Sequence, residues 1–309
     1  MLVGCASADK AMYKTTSSIS NVDRVTGERT LNLQEREQQI KKSNKIGKKV
    51  IKKYESEDKP INAELDSKKY KRLKEVFQKV HSVSHLDDED WHVYLLPDKS
   101  FNAYVLGGTQ VFVHIGLFKT IKSNDELAAV MGHEIAHVTA NHVYEQRAHK
   151  MAATLKGSDS VKEESFQNAF THKAEREADE IGILYAALAG YEPAAAANLW
   201  KRLYKEKGNQ SLMVRTHPNY ERRYNYAKKL ADKYAVYHFD GKVNNDYEYV
   251  LRNNPVFGKG SENMANPDPG EGGGFLSFLE TTANTFEKHY DAKAERMRQK
   301  VNIRETQYI

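Results

Sequence analysis

The chain has 309 residues, 29% of them charged, a net charge of +5 and a mean hydropathy of −0.74, enough length for one substantial core with exposed helices and tails around it. No window reaches the 18 or so consecutive apolar residues of a membrane-spanning helix, which excludes an integral helical membrane protein. Cys5 is the only cysteine, so neither an intramolecular disulfide nor a thiolate zinc site can form.

Residues 1–30 are polar and aperiodic and are expected to be a tether. Within them Leu2-Val3-Gly4-Cys5 resembles the lipobox of bacterial lipoproteins, in which the cysteine becomes the lipidated N-terminus. A basic and then apolar segment is expected upstream of it, with Cys5 as a lipid anchor; an ordinary cytoplasmic tail is the alternative. Helices are expected over 31–56 and 66–84, separated by Pro60. Lys41, Lys42, Lys45, Lys48, Lys49, Lys52 and Lys53 make much of the first one basic, ordinarily a solvated face and otherwise one that meets anionic lipid or an acidic polymer. No aromatic interleaving argues for nucleic acid.

Trp91–Leu96, Phe101–Leu106 and Gln110–Ile115 read as short strands, the last two joined as a hairpin around Gly107-Gly108. An exposed edge of such a sheet can hold an extended peptide. A long helix is expected from 125 to 148. Ser123 and Glu126 have the form of a capping box at its start, and Leu127, Val130, Met131, Ile135 and Val138 supply its apolar periodicity.

That helix carries His133-Glu134-Ile135-Ala136-His137. Histidines four residues apart project from one face on adjacent turns and can hold one Zn²⁺, with Glu134 placed as general base toward the water that a metal activates. A hydrolytic zinc needs a third protein ligand. A second helix, expected from Val161 to Ala189 and stopped by Gly190 and Pro193, offers Glu175 and Asp179 on one face, while Glu177 points about 200° away from Glu175, toward solvent. Glu175 is read as the ligand and Asp179 as acceptor of the free N–H of a ligand histidine.

Helices near 193–207 and 218–234 follow, then a small β segment from Tyr234 to Tyr249. Asn263 to Gly274 is a linker with Pro267, Pro269 and four glycines, and Phe275 to Val301 an amphipathic helix with Phe275, Phe278, Leu279 and Phe286 on one side. The implied organisation is a tether at 1–30, a catalytic domain at 31–235, a small extension at 236–262, a linker at 263–274 and a terminal helix at 275–309. The fold class is α+β, mainly helical with a small sheet.

Asn102-Ala103-Tyr104 with Gly107-Gly108, Gly116-Leu117-Phe118, the zinc motif through Asn141-His142, Glu175 to Asp179 and Thr216-His217-Pro218 occur in an order that resembles the HtpX-like and CAAX prenyl protease-type zinc metallopeptidases of peptidase family M48, over about residues 70 to 230. The resemblance implies a gluzincin-type fold, one Zn²⁺ per chain on His133, His137 and Glu175, Glu134 as the base, and His217 close to the metal. Ala140 and Val143 stand where metzincins have Gly and a third His, which favours a carboxylate ligand. His217, before Pro218 at a helix start, can act as a transition-state donor or as a fourth ligand that plugs the site. Arg223 is read as a buried salt-bridge partner. The resemblance further implies a metalloendopeptidase of the bacterial envelope, on its periplasmic face, acting in quality control on unfolded or misassembled proteins. A zinc-binding, chaperone-like assembly factor with little proteolysis is the competing class.

Overall fold

The computed structural model describes residues 21–22, 29–30, 36–147, 160–207 and 220–253. By its contacts the chain divides into two units, Met1–Ser261 and Glu262–Ile309. The expected linker at 263–274 and terminal helix fall in the second unit, outside the described residues, as does Cys5 in the first. The segment expected to be an aperiodic tether contains one short antiparallel pair, β1 (Asn21–Val22) with β2 (Arg29–Thr30).

Helix α1 (Arg36–Ser56) and helix α2 (Asn62–His81) precede the sheet. Helix α1 buries only Gln39, Ser43 and Gly47, and all seven lysines lie exposed. It is held by polar contacts rather than by apolar area: Arg36 forms a two-pronged ion pair with Glu89 at 2.8 and 2.6 Å, and the Ser43 hydroxyl donates to the Leu106 carbonyl at 2.6 Å. The start of α2 is four residues earlier than the sequence suggests, and Asp66 lies in a non-helical kink near its beginning.

The sheet consists of β3 (His92–Leu96), β4 (Ala103–Val105) and β5 (Gln110–His114) in the order β3-β5-β4. The hairpin expected between β4 and β5 forms, and β3 runs parallel to β5 with Val93 opposite Val111 and Leu95 opposite Val113. Alternation then decides the two faces. Val93, Leu95, Ala103, Val111 and Val113 enter the main core, whereas Tyr94, Phe112 and Tyr104 stack across the opposite face with ring centroids 5.4 and 5.2 Å apart.

After a 3-10 turn (Ile115–Lys119), α3 (Asn124–Thr139) runs through the centre, buried at every residue from Glu126 to Thr139. The Ser123 side chain accepts the Glu126 amide as a capping box requires, but the Glu126 carboxylate reaches the Lys122 amide and Arg202 instead of the Ser123 amide. The single helix expected to run to 148 breaks at Asn141, whose φ of 58° is left-handed, before helical residues 142–147. Asparagine tolerates that conformation because its short polar side chain can bond locally.

Helices α4 (Ser160–Leu188), α5 (Ala194–Lys207) and α6 (Tyr220–Tyr234) complete the core, matching three expected helices within two residues at their ends. The β segment expected from Tyr234 to Tyr249 reduces to one bridge, Phe239 to Lys242, between a 3-10 turn (Ala235–Tyr237) and α7 (Tyr247–Asn253). Val250 and Leu251 of α7 are buried in the core. No helix among the described residues is long and apolar enough to cross a membrane.

Helices α3 and α4 cross at two glycines. A Cβ on Gly132 would lie 2.4 Å from the Gly182 carbonyl oxygen, and one on Gly182 would lie 2.5 Å from the His133 nitrogen. Backbone cannot yield as a flexible side chain does. Gly182→Ala is therefore expected to spread the helices, cost about 1–3 kcal/mol of stability and weaken metal binding, because the two helices carry the clustered side chains described below. Denaturation and zinc titration of the variant check this.

Behind the end of α3, the His85 ring nitrogen lies 2.5 Å from the Tyr185 hydroxyl, whose oxygen also accepts the His85 amide. Burial pushes the His85 pKa down to about 4. Since the unfolded value is higher, the folded state binds fewer protons, and the stabilisation is complete above about pH 6.5 and lost as pH falls toward 4. The loss amounts to at most about 3 kcal/mol. Denaturant midpoints at pH 7 and pH 4.5 are expected to differ less in His85→Gln than in the unmodified protein.

Candidate metal centre

Helix α3 presents His133 and His137 one turn apart, and α4, packed across it, presents Glu175. The two Nε2 atoms lie 3.0 Å apart, and the Glu175 carboxylate is 3.4 Å from His133 Nε2 and 3.3 Å from His137 Nε2. Ligands at 2.0–2.1 Å from a tetrahedral zinc sit about 3.3 Å from one another, and the two nitrogens and the carboxylate, which meets His133 through Oε2 and His137 through Oε1, stand near that spacing. Among the described residues no other group of three His, Cys, Asp or Glu side chains converges in this way.

All three groups are buried, with His133 2%, His137 8% and Glu175 4% exposed, and Glu134 is 1% exposed. Burial opposes charge on both imidazoles. At His133 the hydrogen-bonded Asp179 and Glu175 outweigh burial and the neighbouring Arg223, lifting the pKa to about 9. At His137 burial prevails and the pKa falls to about 3. Asp179 and Glu175 thus favour a proton on His133, with which a divalent cation would compete, while His137 stays neutral.

Asp179 stands on α4 four residues after Glu175. Its carboxylate lies 3.0 Å from His133 Nδ1, on the ring edge away from the cluster, and accepts Arg223 Nε–H at 2.9 Å. Despite burial, Asp179 is held below the usual carboxylate range by the Arg223 guanidinium and His133. Arg223 is the expected salt-bridge partner and more. Its terminal nitrogens approach His133 Nδ1 at 3.2 Å and Glu175 at 3.7 Å, and its guanidinium lies 3.7 Å over the Trp200 ring. At the next position, Glu180 fastens α4 to α6 by accepting from Tyr226 at 2.6 Å, Lys233 at 2.7 Å and Tyr234 at 3.1 Å.

The reading of Glu177 requires correction. It does not simply face solvent: its carboxylate lies 3.2 Å from Nε2 of the buried His142, whose Nδ1 is 3.0 Å from His137 Nδ1. In an unbroken helix His142 would stand about 140° around from His137, which is why its place beside the site was missed. The left-handed Asn141 is what returns it. A histidine just past a polar αL-tolerant residue was the available signal. His217, the remaining candidate, lies outside the described residues, which resume at Tyr220.

The model of peptidase family M48 matches residues 67–165 and 151–231, more than half of the chain. Over 164 residues the chain is 32% identical to the mitochondrial metalloendopeptidase OMA1 of Schizosaccharomyces pombe, covering 48% of this chain and 49% of the relative. It is 32% identical over 167 residues to a putative beta-barrel assembly-enhancing protease of Vibrio cholerae, covering 46% and 34%, and 25% identical over 169 residues to human OMA1, covering 46% and 32%. The chain spans about half or less of the length of the relatives named here. A mostly helical fold with a small three-stranded sheet and a buried His-His-Glu cluster accompanies a family match over the same segment, and the chain belongs to peptidase family M48.

Proposed function

We propose that the protein is a zinc-dependent endopeptidase of the gluzincin type, with one Zn²⁺ held by His133, His137 and Glu175. The observation that carries this reading is the approach of the two Nε2 atoms and the Glu175 carboxylate to 3.0–3.4 Å, one residue from a buried glutamate on the same helix. Bound zinc supplies a Lewis acid that makes water nucleophilic near neutral pH and polarises a peptide carbonyl.

Glu134 takes the proton of the attacking water as its oxygen bonds to the scissile carbon, then delivers that proton to the departing amine nitrogen as the C–N bond breaks. Asp179, itself fixed by the Arg223 guanidinium, accepts from His133 Nδ1 and holds the ring so that Nε2 faces the cluster. His217 is assigned the donor to the oxyanion, on the strength of the family resemblance of Thr216-His217-Pro218.

The substrates in this reading are unfolded or misassembled envelope proteins, and the place of action is the periplasmic face, with Cys5 as lipid anchor. Its support is the similarity to proteins named beta-barrel assembly-enhancing proteases. Purified full-length chain incubated with a permanently unfolded protein is expected to generate new internal termini by mass spectrometry. Cleavage should stop with a chelator and return with zinc. A zinc-loaded chain that leaves the unfolded protein intact would favour the chaperone-like class.

A further inference from the structure

We propose that His142 and Glu177 form a hydrogen-bonded relay that sets the tautomer and ring orientation of His137, and thereby the affinity of the metal centre. This rests on the proposed zinc site and adds two positioning residues to it. The two ligand histidines are supported differently. His133 has a carboxylate, Asp179, directly on Nδ1, whereas His137 has another imidazole, 3.0 Å from its Nδ1, with the Glu177 carboxylate 3.2 Å from that ring's far nitrogen.

Proton accounting allows one useful arrangement. For His137 Nε2 to offer its lone pair to a metal, Nδ1 must carry the hydrogen and donate it. His142 Nδ1 must then accept, which places the hydrogen of His142 on Nε2, where Glu177 accepts it. Glu177, with 20% of its side chain exposed, anchors the chain at the edge of the site, while His142 is 5% exposed. Without Glu177 the His142 hydrogen can move to Nδ1. That tautomer has no acceptor on His137 unless the His137 hydrogen shifts to Nε2, the form that cannot bind metal.

His142 is not itself a fourth ligand. It meets His137 at Nδ1, on the ring edge away from the Nε2 atoms that converge with Glu175. Helix α4 thus contributes at alternate positions a ligand, Glu175, and the outer partners of both histidines, Glu177 and Asp179.

The test is zinc affinity of the full chain, measured by chelator competition, with the visible spectrum of the Co²⁺-loaded protein as a report on ligand geometry. Glu177→Ala and His142→Phe are each expected to weaken zinc about 10–100-fold and shift the Co²⁺ spectrum. The double variant should be little worse than either single one, because the residues act in series. Glu177→Gln, which keeps an acceptor oxygen, should retain most of the affinity, a rescue that a packing role would not require. Should His142→Phe fail to fold, the partly exposed Glu177 variants decide. Unchanged zinc affinity and Co²⁺ spectrum in a folded Glu177→Ala would overturn the relay while leaving the proposed function intact. Failure of the unmodified chain to bind zinc would overturn both.

Discussion

Replacement of Glu134 by Gln is expected to leave zinc content and fold intact and to lower peptide hydrolysis by about 10²–10⁴-fold. The two side chains have nearly the same shape, but an amide cannot accept the proton of an attacking water. The charge balance argues that stability survives. The buried guanidinium of Arg223 is attracted most strongly by Asp179, then by Glu175 and Glu134, so the variant removes only the weakest of its three carboxylate contributions. Arg223 keeps its closest anion, Asp179, in the variant. A melting temperature close to that of the unmodified protein, together with full zinc and lost turnover, is the combined result expected. Comparable turnover at equal zinc occupancy would exclude Glu134 as the base.

Truncation of a proposed ligand should act earlier, on the metal itself. His133→Ala or Glu175→Ala is expected to bring zinc content from about one per chain to near zero by elemental analysis, because a catalytic site with three protein ligands rarely survives the loss of one. The neighbouring carboxylates are poorly placed to substitute. Asp179 faces Nδ1 of His133, and Glu177 faces His142, each on a ring edge turned away from the cluster. Full zinc retention in Glu175→Ala would transfer the third ligand to one of them, in spite of that geometry. Asp179→Asn, which keeps an oxygen acceptor but removes the charge facing Arg223, should be milder, with zinc weakened about 10–100-fold.

Much of this architecture was legible because local rules dominate where it forms. Helices α4, α5 and α6 end within two residues of their expected limits, since apolar spacing, Gly190 and Pro193 act within a turn or two of chain. The β4–β5 hairpin follows from alternation around Gly107-Gly108. The four-residue spacings His133 to His137 and Glu175 to Asp179 likewise carry over directly into shared faces, because a helix converts spacing into direction.

Elsewhere the sequence suggested elements that the structure redistributes. The apolar pattern runs on past Thr139, but the helix breaks at Asn141, a single backbone dihedral that periodicity does not register. The segment from Tyr234 to Tyr249 has the aromatic and β-branched content of strands, yet only Phe239 and Lys242 pair, because a strand needs a partner that sequence alone does not supply.

What the sequence determined by itself is therefore the chemistry on each helix: two imidazoles and a carboxylate on α3, and carboxylates at alternating positions on α4. Which of those carboxylates meets which imidazole was decided by tertiary structure. The Gly132–Gly182 crossing brings the two backbones close enough for Glu175 to reach both Nε2 atoms, and the left-handed turn at Asn141 sends His142 back to His137 and Glu177. Both depend on the relative placement of segments that are distant in the chain or separated by a break, and no periodicity within one element encodes that placement.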